Sequence, residues 1–236
     1  MADLVVIPVY NEAPSVERVL GEVRAAAPRA DILVIDDGST DGSSEILRRI
    51  PGIRVIRHRE NLGYGAALLD GFAFAQENGY ARVVTMDCDE QHEPRLIPEF
   101  LEHAREWDVV SGSRYLDPSV PKRGNAPEDR RRINALITER INQLTGYRLT
   151  DAFCGFKAYR VPALKRLELS ERGYAFPLQF WIQAARAGLT VVERPVPLIY
   201  VPNFERRFGG DLDDADRRLK YYLEVIEKEV AKCSTS

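Results

Sequence analysis

Short apolar runs alternate with helical spacing through the first half of the chain. Five of these runs are predicted to be strands, at 4–9, 32–35, 55–56, 83–86 and 109–110. Between them, apolar residues recur every three or four positions and predict helices around 16–23, 46–50, 65–78 and 96–101. This alternation predicts right-handed βαβ units in an α/β fold with a mainly parallel sheet. Ligands of such sheets bind beyond the carboxyl ends of the strands, so polar residues there are the first functional candidates.

The alternation breaks after residue 115. Segment 117–129 is rich in proline, glycine, asparagine and charge, which predicts a mobile surface loop. The pattern then predicts, in chain order, a helix at 128–144, a strand at 155–159, a helix at 180–187, strands at 191–192 and 196–200, a loop through 204–210 and a helix at 213–231. The last helix carries an apolar stripe, formed by Leu219, Tyr222, Ile226 and Val230. We expect this stripe to pack on the core or on a second copy of the chain.

Composition narrows the class of protein. The chain has 236 residues, 44% hydrophobic and 29% charged, which is typical of one globular domain with a sizeable core, and we expect a single domain over 1–236. The formal net charge of -3 gives no overall attraction to nucleic acid. The sequence shows no signal-peptide pattern and no apolar run of membrane-spanning length, and its three cysteines are far apart. We therefore expect a cytoplasmic protein with reduced thiols.

The strongest chemical signal follows the fourth predicted strand. Asp87, Asp89 and Gln91 stand at alternate positions where the apolar run ends, with Cys88 between the two carboxylates. Oxygen ligands at this spacing suit Mg²⁺ or Mn²⁺, and Mg²⁺ typically needs only one or two carboxylates besides substrate phosphates. A polar turn in which a carboxylate caps the next helix would have the same sequence. The spacing alone does not choose between the metal site and the helix cap.

Two other strand ends carry polar turns. Asp36 and Asp37 follow the second strand, where a carboxylate can accept hydrogen bonds from a base N–H or a ribose hydroxyl. The alternative is a turn followed by a helix N-cap, and both interpretations can hold at once. After the first strand, Pro8 gives a rigid turn, Tyr10 offers a ring that can stack on a base, and Glu12 adds a carboxylate.

Glycines and arginines give weaker signals. Gly65 opens the helix after the third strand, but Leu68 holds the third glycine position of a dinucleotide fingerprint, so NAD binding is rejected. The helix N-terminus can still approach a phosphate or a sugar. Arginines suit bidentate phosphate recognition, although charge runs more often form solvated faces. The arginines concerned are Arg114, Arg130, Arg131, Arg132, Arg206 and Arg207. Arg114 stands at a strand end, and helical spacing puts Arg130 and Asn134 on one face.

Taken in order, these motifs resemble those of glycosyltransferase family 2, and specifically its dolichyl-phosphate mannose synthase branch. The resemblance covers about residues 3–210 and rests on segments 8–12, 36–42, 61–65, 87–92, 112–115 and 151–158. It implies a GT-A fold, with a Rossmann-like nucleotide-sugar-binding half at about 1–115, an acceptor-side half at about 116–210 and a C-terminal helix at 211–236. It also implies an inverting transfer from GDP-mannose or a UDP-sugar to an acceptor, foremost a polyprenyl or dolichyl phosphate, with Mg²⁺ or Mn²⁺ as cofactor.

The motifs and the resemblance together assign roles to individual residues. The residues expected to bind the nucleotide sugar are Pro8, Tyr10, Glu12, Ile35, Asp37, Gly65, Asp87, Cys88, Arg206 and Arg207. The residues expected to hold the metal are Asp87, Asp89 and Gln91. The residues expected to meet the acceptor phosphate are Arg130 and Asn134. The residues expected to act in catalysis are Asp89, Arg114 and Asp151.

The nature of the acceptor decides whether the reaction needs a base. A phosphate acceptor is already anionic near neutral pH and can attack without one, whereas a hydroxyl acceptor needs a base, for which Asp151 is the candidate. The alternatives to a polyprenyl-phosphate transferase are the same fold acting on a soluble hydroxyl acceptor and a non-catalytic module that binds nucleotide sugars. A lipid acceptor would require peripheral membrane contact through residues 117–145 or the final helix, and a homodimer is a further option.

Two segments depart from the pattern of the branch. Gln179 stands where the branch usually carries a glutamate. The late loop keeps an arginine and a glycine but lacks the usual Ser-Lys pair, which removes a cation from the neighbourhood of the phosphates.

Overall fold

The computed structural model of the chain describes residues 2–200 and 210–232, which form seven strands and eight helices. The strands are β1 (Asp3–Val9), β2 (Asp31–Asp36), β3 (Arg54–Arg57), β4 (Arg82–Thr85), β5 (Val109–Ser113), β6 (Lys157–Arg160) and β7 (Val191–Pro195). The helices are α1 (Val16–Ala26), α2 (Ser43–Leu47), α3 (Tyr64–Glu77), α4 (Ile97–His103), α5 (Glu128–Thr145), α6 (Val161–Leu164), α7 (Phe176–Arg186) and α8 (Ala215–Ala231). Short 3-10 turns at Pro94–Leu96 and Gly210–Asp213 precede α4 and α8.

All seven strands belong to one sheet with the order β3-β2-β1-β4-β6-β5-β7. Neighbouring strands are parallel except at β6, which is antiparallel to both β4 and β5. The predicted α/β fold with a mainly parallel sheet is therefore confirmed. Strand β6 comes from the second half of the chain and lies between two strands of the first half. The predicted halves thus share one sheet, and their division into functional units stays a prediction.

The central strand β1 is apolar on both faces because helices cover the sheet on both sides. Leu4 and Val6 face the core that also contains the buried residues of α3, α5, α7 and α8. Val5 and Ile7 face the second core, which is closed by α1 and α4. This double cover holds β1 and its neighbours rigidly, so the turns at their carboxyl ends have fixed positions.

Several predicted boundaries differ from the structure. The strand predicted at 155–159 is β6, and α7 begins four residues before the predicted start, with Pro177 in its first turn, where the missing N–H costs no hydrogen bond. The strand predicted at 196–200 is reduced to an isolated bridge between Ile199 and Arg123. Helix α8 begins two residues late because the Asp214 side chain accepts a hydrogen bond from the Arg217 N–H and caps the helix.

Helix α8 packs its apolar stripe on the core, as one of the two predicted arrangements required. Tyr222 and Ile226 are buried there. A polar clamp adds to this packing, since Gln179 and Gln183 of α7 donate hydrogen bonds of 2.9 and 2.7 Å to the buried carboxylate of Glu229. The clamp also accounts for glutamine at position 179, because a glutamate there would face another carboxylate.

Candidate active site

The turns after β1 and β2 are tied together at the carboxyl edge of the sheet. The Asn11 N–H donates to Ser39 Oγ at 3.0 Å, and the Thr40 N–H donates to Asn11 Oδ1 at 2.8 Å. The Glu12 N–H donates to Ser43 Oγ at 2.9 Å. Three cross-links of this kind fix the predicted nucleoside-binding turns relative to each other before any ligand arrives.

The predicted nucleoside contacts differ in how much of each side chain is accessible. The Tyr10 side chain is 46% exposed, as a stacking surface must be. Pro8 is partly buried, and Glu12 is buried with Oε2 accepting from Ser15 Oγ at 3.1 Å. The Ile35 side chain is fully buried in the core, so only its backbone could meet a ligand. The nucleoside-binding roles of these residues stay predictions.

Asp37 organises the entry to α3. Its carboxylate accepts hydrogen bonds from the backbone N–H groups of Leu62 and Gly63 at 2.8 and 2.9 Å. It also contacts Nδ1 of His58 at 2.6 Å, and Nε2 of His58 contacts Asp70 at 2.7 Å. The imidazole therefore bridges two carboxylates, an arrangement in which both ring nitrogens donate. Asp37 thus has a structural role beside its predicted contact with the nucleoside.

The bridge predicts a pH-dependent contribution to stability. Burial lowers the pKa of His58, but the hydrogen bonds to Asp37 and Asp70 outweigh burial, and the pKa lies above its usual value. Because the folded pKa is raised, the stabilisation is complete below the ordinary histidine pKa of about 6.5 and is lost as pH rises through the folded value. We expect His58→Gln to lower the free energy of unfolding by about 1–3 kcal/mol at pH 5.5, and by less at pH 8.5. Urea unfolding at both pH values measures this difference.

A matched control is His103→Gln, since His103 faces Glu99 at 3.9 Å on the more exposed α4 surface. Its cost should stay below about 0.5 kcal/mol at both pH values. A cost for His58→Gln that did not change with pH would show that the imidazole is neutral in the bridge.

The turn after β4 carries the predicted metal ligands. Asp87 and Gln91 line the main cavity, and the Asp89 side chain is buried beside them, with Oδ1 accepting from the Gln91 N–H at 3.0 Å. Oδ1 of Asp87 is buried and accepts no hydrogen bond from any residue in 2–200 or 210–232. A buried carboxylate oxygen left in this state is costly unless a cation joins it, so the site fits a hard cation.

The structure separates the metal site from the helix-cap alternative. The next helical turn begins at Pro94, its N-cap is Glu93, and no side chain caps it. Neither Asp89 nor Glu90, the two candidates for a cap, therefore serves as a helix N-cap. Within the described ranges, no group of three histidine, cysteine, aspartate or glutamate side chains could hold a metal ion together. A cation at Asp87 and Asp89 would accordingly need further oxygens, from Gln91 and from a ligand such as a diphosphate.

The segment after Asp151 closes against Asp87. A Cβ atom added to Gly155 would lie 2.8 Å from both Asp87 Oδ2 and the Tyr64 hydroxyl, so a larger residue there would displace these two side chains. Burial, together with the nearby charge of Asp87, holds the pKa of Tyr64 well above its usual value. The Tyr64 hydroxyl therefore stays protonated and can act as a donor at this end of the cavity.

Arg114 is held at the end of β5 by a fully buried carboxylate. Its Nε and Nη2 donate to Oδ2 and Oδ1 of Asp151 at 2.6 and 2.9 Å. Asp151 also accepts from the Arg114 N–H at 3.2 Å and from Nδ2 of Asn134 at 2.9 Å. Burial raises the pKa of the Asp151 carboxyl, but the charge of Arg114 and the hydrogen bonds from Arg114 and Asn134 have the larger, opposite effect. The pKa therefore lies below its usual value, and the group is ionised. These contacts suit a carboxylate that orients Arg114, and the predicted role of Asp151 as a base stays a prediction.

One cavity brings the predicted metal and phosphate residues together. Its wall includes Asp87, Gln91, Arg114, Arg130 and Asn134. Aromatic side chains from several elements complete the wall, namely Tyr64, Tyr115, Phe153, Tyr174, Tyr200 and Tyr222. An anion that bridges a cation and two guanidinium groups, with an apolar or sugar portion against aromatic rings, matches this lining.

Two predicted contacts, Gly65 and Cys88, have a different place in the structure. The Gly65 Cβ position would meet the Glu171 carbonyl oxygen at 2.3 Å, and the Arg172 carbonyl accepts from the Ala66 N–H at 3.0 Å. Close packing of this segment over the N-terminus of α3 thus explains the glycine. The Cys88 side chain is buried in an apolar core and does not line the cavity. The remaining predicted donor contacts, Arg206 and Arg207, lie outside the described residues.

Sequence reasoning missed the contribution of α8. Arg218 is 2% exposed and lines the same cavity one helical turn before Tyr222. The signal was present in the sequence, because an arginine four positions before a stripe residue lies on the buried side of the helix.

Comparison with known proteins decides the family. The sequence model described as Glycosyl transferase family 2 matches residues 4–168. The chain belongs to glycosyltransferase family 2. The undecaprenyl-phosphate mannosyltransferase of Micrococcus luteus is 33% identical over 219 residues, 90% of this chain and 89% of that protein. The polyprenol monophosphomannose synthase of Mycolicibacterium smegmatis is 32% identical over 202 residues, 82% of this chain and 76% of that protein.

Solved structures confirm the GT-A fold of this family 2 glycosyltransferase. Glucosyl-3-phosphoglycerate synthase from Mycobacterium tuberculosis, crystallised with UDP, superimposes with a TM-score of 0.70 at 19% identity, covering 97% of this chain and 79% of that chain. A structure of the same protein with Mn²⁺, UDP and phosphoglyceric acid gives a TM-score of 0.73 at 18% identity, covering 97% and 78%. The named relatives also match the polyprenyl-phosphate branch that the motifs indicated.

Proposed function

We propose that this glycosyltransferase moves a hexose, foremost mannose, from a nucleoside diphosphate sugar to the phosphate of a polyprenyl chain. The observation that carries the proposal is the shared cavity, in which Asp87 and Gln91 meet Arg114 and Arg130. Asp87 and Gln91 would hold the cation that a donor diphosphate needs. Arg114 and Arg130 would bind the phosphate of the acceptor. The names of two relatives, a mannosyltransferase for undecaprenyl phosphate and a polyprenol monophosphomannose synthase, support the same acceptor and sugar.

A divalent cation, Mg²⁺ or Mn²⁺, is part of the proposal. The residues that would hold it are Asp87, Asp89 and Gln91, because the buried Oδ1 of Asp87 suits a cation and the turn is not a helix cap. When bound, such an ion neutralises charge that develops on the leaving diphosphate. The crystallised glucosyl-3-phosphoglycerate synthase, with its UDP and Mn²⁺, agrees with this assignment through the shared fold.

The reaction needs no proton transfer when the acceptor is a phosphate. A phosphate oxygen attacks the anomeric carbon and forms the new C–O bond, while the bond from that carbon to the diphosphate oxygen breaks and its electron pair leaves with the nucleoside diphosphate. Arg114 and Arg130 would orient the acceptor phosphate and reduce its repulsion from the donor. Asp151 contributes by fixing the Arg114 guanidinium through two hydrogen bonds.

A soluble hydroxyl acceptor is the second candidate, and the site favours it less. Such an acceptor needs a base, and the sequence offered Asp151 for that task. The structure engages both oxygens of Asp151 with Arg114 and Asn134 and buries the group completely. The phosphate acceptor therefore agrees better with the side chains at this end of the cavity.

A polyprenyl acceptor would bring the enzyme to a membrane surface. Among the described residues, every helix is too short or too polar to cross a bilayer. Peripheral contact through residues 117–145 is our proposal, supported by Leu136 of α5, whose side chain is 47% exposed. Helix α8 is the weaker candidate because its stripe is buried. A position at the cytoplasmic face and a homodimer remain part of the proposal without separate support.

The test is a donor and acceptor panel on the purified protein. GDP-mannose, UDP-glucose and UDP-galactose are each incubated with Mn²⁺ and with farnesyl phosphate or farnesol, and released nucleoside diphosphate is measured. We expect release with one sugar donor, dependent on both Mn²⁺ and farnesyl phosphate, and none above background with farnesol. Metal-dependent binding of the donor without release on any acceptor would instead indicate the non-catalytic module. Transfer to farnesol alone would exclude the phosphate acceptor.

A further inference from the structure

A buried arginine of the C-terminal helix reaches the cavity from a third side. Arg218 is 2% exposed, although burial of a guanidinium is costly unless other groups compensate its charge. Its Nη1 donates to the Leu212 carbonyl at 2.8 Å, and its Nη2 donates to Asp129 Oδ2 at 2.5 Å. These bonds hold the guanidinium at the cavity wall rather than in solvent.

The carboxylate partner of Arg218 is weaker than that of Arg114. The Asp129 side chain is 39% exposed and stands in the first turn of α5, whereas the Asp151 side chain is fully buried and binds Arg114 through both oxygens. The Arg218 side chain is itself 3% exposed, so water screens only the Asp129 member of this pair. An arginine fixed at a cavity wall suits an anion, because its guanidinium forms charge-assisted hydrogen bonds with phosphate oxygens.

Arg218 shares its cavity with the two arginines predicted to meet phosphate. Arg114 directly follows β5, Arg130 lies in α5 and Arg218 in α8, and all three line one cavity. Tyr222 lies one turn after Arg218 on the same face, and burial raises its pKa to about 12 although the charges of Arg218 and Arg130 lower it. Both arginines therefore act on the same hydroxyl, at the end of the cavity where the Phe153 and Tyr222 rings meet at a tilt, with centroids 5.0 Å apart.

We propose that Arg218 is a third phosphate-binding residue, which acts with Arg114 and Arg130 on the phosphate monoester of the acceptor. A phosphate monoester carries a charge of about -1.5 to -2 near neutral pH, and three guanidinium groups from three elements suit it better than two. This inference rests on the proposed function. It makes α8 part of the acceptor site and supplies a cation from a segment other than the late loop.

The test compares variants of the full-length protein in direct binding of farnesyl phosphate, with farnesol and inorganic phosphate as separate ligands. We expect R218Q to weaken farnesyl phosphate at least about tenfold, since a hydrogen bond to a charged group is lost. Binding of the nucleotide donor with Mn²⁺ should change less than about twofold. K220Q removes an exposed cation from the same helix and should leave both affinities unchanged. Competition by inorganic phosphate, but not by farnesol, would assign recognition to the phosphate rather than to the chain.

A second variant separates phosphate binding from a purely structural role of Arg218. D129N removes the competing carboxylate, so it should strengthen farnesyl phosphate binding by about two- to tenfold if Arg218 binds phosphate. If Arg218 only pins α8 to α5 through Asp129, D129N and R218Q should both weaken the ligand. R218K, which keeps the charge, should fall between wild type and R218Q and serves if R218Q does not fold.

The outcomes distinguish this inference from the proposed function. The protein could bind farnesyl phosphate through Arg218 and yet transfer no sugar from any donor. That result would exclude the proposed function and support the phosphate site at Arg218. Transfer to farnesyl phosphate with unchanged acceptor affinity in R218Q would overturn the role of Arg218 alone. If the wild-type protein binds neither farnesyl phosphate nor inorganic phosphate, both fail.

Discussion

Replacement of Asp87 by asparagine should reduce sugar transfer at least about a thousandfold, because stabilisation of a developing diphosphate charge by a metal is worth several kcal/mol. The residue lines the cavity and presents a buried oxygen that no described side chain satisfies. Asparagine keeps the shape but loses the charge that a cation requires. The measurement is kcat/KM with saturating Mn²⁺, together with the Mn²⁺-dependent affinity for the nucleoside diphosphate.

Stability measurements sharpen this prediction. A buried carboxylate oxygen without a partner costs free energy in the absence of metal, so Asp87→Asn should leave the metal-free Tm unchanged or raise it. Wild-type Tm should rise when Mn²⁺ and nucleoside diphosphate are added, and the variant should lose this rise. Glu90→Gln is the matched control, since Glu90 stands in the same turn but pairs with Arg18. Normal activity in Asp87→Asn would remove Asp87 from the site.

Asp89→Ala tests the other carboxylate of the turn. Asp89 is buried beside the cavity and accepts the Gln91 N–H, so it both shapes the turn and stands within reach of a cation. We expect loss of Mn²⁺-dependent nucleotide binding in a protein that remains folded by circular dichroism. Binding equal to that of wild type would exclude Asp89 as a ligand.

The parallel part of the fold could be predicted from sequence because its signals are local. Strand β1 and helix α1 follow from apolar spacing within a few residues, and Pro28 marks the end of the helix pattern. Strand β6 is different, since its place between β4 and β5 depends on pairing between residues far apart in the chain. The apolar pattern of 155–159 predicts neither the direction of the strand nor the strands with which it pairs.

The site shows the same division between local and long-range information. Asp87 and Gln91 were recognisable because a strand end and a two-residue spacing are local features. The engagement of Asp151 by Arg114 could not be predicted, because 37 positions separate the partners and the sequence shows only two chargeable groups. Residue type suggested a base, and only the structure shows that the carboxylate is buried and paired with Arg114. Arg218 was missed for a related reason, since its helix reaches the cavity only through tertiary packing.

The second large effect is expected from breaking the ion pair between Arg114 and Asp151. Asp151→Asn should destabilise the fold by about 1–3 kcal/mol, because it removes the ionised acceptor of the Arg114 guanidinium, whose side chain is only 20% exposed. The pKa of Asp151 lies below its ordinary value because Arg114 outweighs the effect of burial. A carboxylate whose pKa is lowered in the folded state stabilises that state fully at pH values above its ordinary pKa of about 4. This stabilisation is lost as the pH falls through the pKa of the folded state. The penalty should therefore be constant from pH 7 to about pH 5 and shrink below pH 4.

The same variant decides whether Asp151 positions Arg114 or acts as a base. Positioning predicts a rise of about tenfold to a hundredfold in KM for farnesyl phosphate, unchanged donor affinity and no lost limb in the pH dependence of kcat. A base would instead give a collapse of kcat and the loss of an acidic limb. Asp3→Asn is the matched control, since Asp3 accepts from Nε and Nη2 of Arg82 at 2.7 and 2.9 Å, far from the cavity. Asp3→Asn should lower the stability of the fold and leave the KM values for the donor and for farnesyl phosphate unchanged. The reason is that Arg82, unlike Arg114, does not line the cavity.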